Sequence, residues 1–302
     1  MSALKTLPNL ETLKFDALHC KIPLALNEIT GLSSISLETD YNDYFAGILD
    51  SLVKMVAISP RLTSIDFLPG EPESSTEMSP THSLHHLLKH IPKNAAPLLL
   101  HHLGMDGCFL RLDNITLPHL KSLKSLRLTN IVDPSALSGN DAKRQKQVGA
   151  STEHLWATMV HEGIWLDDIV CENVSPPFLD YLSAYSGLKS LNLVPDKWDK
   201  GSVYSDTQAG RFFANTGPLV QHRGTLEELV VRPKNEGRWC FDMKAPPESL
   251  AACPRLKKLG LGVLGAQIKC QALVFYGANA MVEEIEAENA IVSDFSLSQL
   301  IT

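Results

Sequence analysis

A chain of 302 residues is long for one compact core, so it reads as two domains or one elongated array. Its composition is ordinary, at 44% hydrophobic, 20% charged and 7% aromatic, which excludes a disordered chain, a collagen-like chain and a small disulfide scaffold. The net charge of −7 argues against nucleic-acid binding through phosphates, and no run approaches 18 uncharged apolar residues, so no membrane span is expected.

In chain order, the first elements are short strands, Leu10-Leu13-Phe15 and Leu32-Ile35-Leu37, each spaced L-x-x-L-x-L. Tyr44 to Ile58 then sets Phe45, Ile48, Leu49, Leu52, Met55 and Val56 on one face at 3.6-residue periodicity, which predicts a helix. Leu62-Ile65-Phe67 is the next strand, followed by an acidic, Pro/Ser-rich insertion over 69–81 and a helix from His82 to Ile91. The strands Leu100-Leu103-Met105 and Leu123-Leu126-Leu128 lead into a polar insertion over 133–150 and a helix from Thr152 to His161. After Leu166-Ile169-Cys171, Pro176-Pro177 opens a helix through Tyr185, proline being tolerated in a first turn. Leu188-Leu191-Leu193 precedes a third polar insertion, 194–207, and a helix from Gln208 to Gln221 broken near Gly217-Pro218. Leu226-Leu229-Val231, Leu256-Leu259-Leu261 and a degenerate Val282-Ile285-Ala287 complete the series.

Ten occurrences of one pattern from end to end constitute a repeat. Their first positions average about 30 residues apart, against 20–29 for regular leucine-rich repeats, so several units carry insertions. The spaced leucines of one short strand cannot bury themselves alone, and each unit needs neighbours above and below. The expected fold is therefore α/β: one irregular solenoid over 1–302, of about ten units, with a parallel sheet on the inner curve and helices on the outer one.

The phrases LPNLETLKF, SPRLTSIDF, SGLKSLNL, HRGTLEELVV and CPRLKKLGL resemble the leucine-rich-repeat proteins, specifically the divergent type found in fungal F-box/leucine-rich-repeat proteins. The resemblance covers residues 7 to 288 or so. It implies a horseshoe, and a repeat array that holds a substrate while an F-box recruits a ubiquitin-ligase adaptor. No F-box is visible in these residues. Cys108 stands where the family uses Asn or Cys to satisfy backbone groups after the strand; Leu18, Ile131, Val174 and Leu264 fill that place elsewhere.

Other motifs are absorbed by the repeat. Gly260-x-Gly262-x-x-Gly265 spells a dinucleotide fingerprint but falls within a repeat strand, and too little chain follows it for a doubly wound half. His82, His86 and His90 share a helical face without an HExxH motif or a carboxylate at ligand spacing. There is no G-x-S-x-G elbow and no phosphate-binding loop. No cofactor, metal or catalytic residue is assigned, and no enzymatic activity is expected. The six cysteines lie singly, without a CxxC pair, and the start lacks an apolar signal region, which together point to a cytoplasmic or nuclear protein.

If positions four and six of each strand face the core, alternation sends positions three, five and seven to the inner face. Ten acids and four bases then lie on that face. The candidate partner-binding residues are Lys14, Asp66, Asp106, Arg127, Asp168, Glu172, Glu228 and Arg232, and the expected partner is a protein of basic character.

Overall fold

The structure, a computed structural model, describes residues 9–18, 25–40, 44–69, 81–131, 152–193, 206–232, 238–240, 247–262 and 272–276. Its contacts divide the chain into two compact units, Met1–Ile164 and Trp165–Thr302. Where the sequence reads as one array, each unit has its own set of paired strands. The insertion cores 70–80, 133–150 and 194–205, together with the tenth repeat phase at Val282, lie outside the described residues.

The first unit contains five strands, β1 (Thr12–Ala17), β2 (Ser34–Thr39), β3 (Ser64–Leu68), β4 (His102–Asp106) and β5 (Ser125–Thr129). Each pairs in parallel with the next in sequence order. The second contains β6 (Asp168–Cys171), β7 (Ser190–Leu193), β8 (Glu228–Val231) and β9 (Lys258–Gly262), again parallel in sequence order. All nine strands begin at position three of the repeat read from the sequence. The register matches like with like: Leu13, Ile35, Ile65, Leu103 and Leu126 are Cα partners in turn, as are Ile169, Leu191, Leu229 and Leu259.

One contact recurs at every described step within each unit. The carbonyl of position two accepts the amides of positions two and three of the following strand, with N···O distances between 2.7 and 3.2 Å. Glu11 receives Ser33 and Ser34, Thr63 receives His101 and His102, and Asp167 receives Lys189 and Ser190. Ser33 and Thr63 add their hydroxyls to the same carbonyl ladder, on Glu11 and Ser33 respectively, each at 3.1 Å. These bonds satisfy the backbone at the point where a turn enters the sheet, so that turn sequence is free to vary.

The burial rhythm follows. Positions four and six are buried in nearly every strand, Ile35, Leu37, Ile65 and Phe67 almost completely. Helix α1 (Phe45–Ala57) fills the predicted span and buries the predicted face. Its Phe45 ring stacks on Phe67 of β3 at 6.1 Å between centroids, which joins the helix to the strand core. Helix α2 (Leu84–Leu88) is shorter than its sequence pattern, and Ser83 caps it by accepting the His86 amide. The remaining helices of the first unit are α3 (Leu117–Leu120) and α4 (Thr152–Glu162).

In the second unit, α5 (Pro176–Ser183) opens at the expected proline pair behind a Ser175 cap. The helix expected over Gln208–Gln221 is split into α6 (Asp206–Phe212) and α7 (Pro218–Gln221). The break falls at Gly217, where a Cβ would sit 2.3 Å from the Arg211 carbonyl oxygen, so only glycine allows the chain to pass. After α8 (Glu248–Ala251), the next described strand departs from the parallel pattern. Strand β10 (Ala272–Tyr276) lies antiparallel to β9 and was not expected from the repeat.

Two buried histidines hold equivalent places, four residues before the first leucine of a repeat. His119 precedes Leu123, and its Nδ1 accepts the Leu98 amide at 2.9 Å; His222 precedes Leu226, and its Nδ1 accepts the Leu188 amide at 3.3 Å. Each must be neutral at Nδ1 to accept, and burial lowers both pKa values, that of His222 to about 4. His82, buried edge-on against Phe45, is likewise lowered to about 4 by desolvation.

Two predictions follow from this packing. Leu126→Ala or Leu191→Ala should each reduce unfolding free energy by about 2–5 kcal/mol in urea titrations, because each empties a core site between paired strands. A loss below about 1 kcal/mol for both would contradict the assigned phase. The second concerns pH. A histidine that is neutral in the fold and ordinary when unfolded destabilises as the unfolded chain takes up protons. Stability should therefore be level above pH 6.5 or so and fall towards pH 4, on the order of 1–3 kcal/mol for each of His82 and His222. His222→Gln, which keeps an acceptor for Leu188, should flatten that slope in a pH series of denaturation curves.

Candidate functional site

Strand alternation leaves positions three and five of most strands partly exposed on the side opposite the buried leucines. In the first unit Lys14 and Arg127 are exposed, while Asp66 and Asp106 are half-buried. In the second, Asp168, Glu172, Glu228 and Arg232 are half-buried. Four of the eight candidates belong to each unit.

These faces are less uniform than the alternation rule implies. Gly104, Thr129, Val230, Gly260 and Gly262, all assigned to the open side, are buried. Gly260 and Gly262 lie inside β9, with Val230 packed beside Gly260, so the first two glycines of the apparent fingerprint are strand residues and not a phosphate-binding turn. Glu228 is not a free carboxylate, because Lys258 of the neighbouring strand pairs with it at 2.8 Å. A second charge row runs along position two, where Lys189 pairs with Asp167 and Lys257 with Glu227. The Lys257 contact holds the Glu227 carboxyl below its ordinary value. Among the described residues, the buried Nε of Arg232 and Oδ1 of Asn192 have no hydrogen-bond partner.

The first unit's face is the more organised. His102, at position three of β4, stands between Asp66 of β3 and Ser125 of β5. Its Nε2 lies 2.9 Å from Asp66 Oδ1, and its Nδ1 lies 2.9 Å from Ser125 Oγ. The register explains the line: Ser64, His102 and Ser125 are direct partners, and Asp66 is one alternate position further along β3, opposite Gly104. A Cβ on Gly104 would fall 1.8 Å from Asp66 Oδ1, so the carboxylate reaches His102 through the space that the glycine leaves. Two residues along β4, Asp106 accepts the Asn130 amide at 2.8 Å, and Asn130 adopts a left-handed φ of 50° to provide it. Cys108, two residues after the end of β4, donates its thiol to the carbonyl of Asp106, the last residue of that strand. Burial raises its pKa well above that of an ordinary thiol.

The histidines of the helical cluster are distributed rather than gathered. His82 packs on Phe45, His85 bonds Asp113 Oδ2 at 2.6 Å, and His86 meets His90 edge to face. Only His85 and His86 lie within α2. Among the described residues, no group of three His, Cys, Asp or Glu side chains is placed to hold a metal ion. No helix of the described residues is long and apolar enough to cross a membrane. Cys108, Cys171, Cys240 and Cys253 are buried free thiols; Cys20 and Cys270 lie outside the described residues.

Sequence reasoning assigned Asp66 to this face and placed His102 and Ser125 there without joining the three. They are 36 and 23 residues apart, and no local motif connects them. Aligning the repeats would have found them, because position three of successive strands reads Ser64, His102, Ser125. Set against known protein families, curated proteins and solved structures, the chain shows no match.

The Asp66–Gly104 contact predicts a coupling. Gly104→Ala should destabilise the natural chain by about 1 kcal/mol, because the new methyl drives Asp66 off His102. In an Asp66→Ala background the same change should be neutral or stabilising, since alanine is the better strand residue. Equal effects in both backgrounds, read from urea denaturation, would deny the contact.

Proposed function

We propose that this chain is a leucine-rich-repeat protein whose open strand faces bind another protein. The observation that carries the reading is the burial rhythm of the nine parallel strands: one side of each is spent on the core, while the other side of most presents partly exposed polar residues on paired backbone. A side chain held on a strand loses little freedom on binding, which favours recognition. Of the eight candidate residues, Asp66, Asp106, Asp168, Glu172 and Glu228 are acidic, and Lys14, Arg127 and Arg232 are basic. That balance suits a partner of basic character.

The narrower role, substrate recognition for an F-box type ubiquitin ligase, rests on the sequence resemblance alone. Co-purification of the natural chain with the ligase adaptor supports it. The alternative is a stand-alone scaffold or inhibitor-type repeat protein with no ligase role, which a partner recovered without the adaptor favours.

The binding proposal is tested with partners captured from cell extract, identified by mass spectrometry and then purified. Affinity should fall by roughly an order of magnitude between low and high salt, since complementary charge is screened over about 8–10 Å. The pairs Asp66→Asn/Asp106→Asn and Asp168→Asn/Glu172→Gln, made separately, should show which unit's face is engaged while leaving the leucine core intact. A partner whose affinity ignores both pairs, or is lost through exposed positions of α1 alone, would contradict the proposal.

A further inference from the structure

The line Asp66–His102–Ser125 has a property that protein binding does not use. An ionised carboxylate can only accept hydrogen bonds, so the 2.9 Å contact with Asp66 Oδ1 puts the imidazole proton on Nε2. In the neutral imidazole Nδ1 is then the acceptor, and the Ser125 hydroxyl, 2.9 Å away, is placed to donate to it. A hydroxyl bonded to an imidazole whose tautomer is fixed by a carboxylate is the arrangement that activates serine as a nucleophile, whichever ring nitrogen fills each role. Asp66 occupies its place only because residue 104 has no side chain. The side chains of His102 and Asp66 are 29% and 24% exposed, so solvent and small solutes reach the line.

Ser125's own amide is committed to the His101 carbonyl at 2.9 Å and is not available to a developing oxyanion. Arg127 lies one alternate position further along β5 on the same face; it is exposed and forms no ion pair with a described residue. Its guanidinium is the nearest candidate on this strand for carrying that charge.

We propose that the first unit is a hydrolase of small carboxylic esters, with Ser125 as nucleophile, His102 as general base, Arg127 as the oxyanion partner and Asp66 as the residue that positions His102. Ser125 Oγ attacks the ester carbonyl carbon while its proton passes to His102 Nδ1. The carbon–alkoxide bond then breaks, and the leaving alcohol takes that proton. Water attacks the acyl-serine and gives a proton to His102; the carboxylic acid departs, and Ser125 Oγ recovers its proton.

The test uses the full chain with p-nitrophenyl acetate and a fluorophosphonate probe. With the probe, the Oγ–phosphorus bond forms, fluoride leaves and the proton goes to His102. The expected result is one adduct, mapped by peptide mass spectrometry to Ser125, together with ester turnover lost in Ser125→Ala. His102→Gln should slow both reactions by about a hundredfold or more, and Asp66→Asn by about tenfold or more. Arg127→Gln, a change at an exposed position, should slow ester turnover by about tenfold while leaving the melting temperature unchanged. An adduct absent from Ser125 in the folded natural chain would overturn the proposal, and so would labelling undiminished in a folded His102→Gln variant. A purely structural hydrogen-bond line would lower melting temperatures in the variants without producing any adduct. Partner binding is read separately, so either proposal can fail alone.

Discussion

The architecture depends on one backbone contact, the position-two carbonyl that accepts two amides from the next strand. It occurs at all seven described steps within the two units and fixes where each strand begins relative to its neighbour. Side-chain alternation has a period of two, so a slip of one residue would turn every leucine outward. With the entry point fixed, position four always meets position four. Repeat spacings from 22 to 38 residues within the units can therefore coexist with a constant register. Lengthening a loop costs little closure entropy, whereas misplacing a strand start would expose a whole hydrophobic row.

This explains why so much of the fold was legible. Short strands with alternating leucines after polar turns carry a local signal, and nine of them were located, each beginning two residues after the first leucine of its phase. Helices α1, α4 and α5 were readable because each displays two or more turns of periodic apolar residues or a proline start. The four-residue helices α3 and α8 were not, since a single turn has no period to detect. Strand β10 was missed for another reason. Nothing in Ala272–Tyr276 indicates direction, and the repeat pattern argued for a parallel strand elsewhere.

The candidate site was legible in its parts but not in its connections. Alternation placed Asp66, His102, Ser125 and Arg127 on one face, yet the line through His102 depends on the direction in which each side chain leans. Gly104 decides that direction for Asp66, and a glycine inside a strand pattern gives no warning of the neighbour that will use its space. The same gap hid the pairing of Glu228, because its lysine partner sits on the next repeat, 30 residues away. Contacts between repeats are set by register, and register is a property of the assembled sheet.

The antiparallel strand β10 bears on how such an array can grow. Repeat proteins lengthen by duplication of a unit, and a new parallel strand needs a neighbour whose edge offers evenly spaced, slanted hydrogen bonds. Beyond β9 that edge is already taken, by a strand running the other way. A copied unit placed directly after β9 would have to displace β10, whereas one inserted between two earlier strands would meet the matching edge on both sides. Lineages of this protein that differ in repeat number should accordingly differ at steps before β9, with the β9–β10 pair retained.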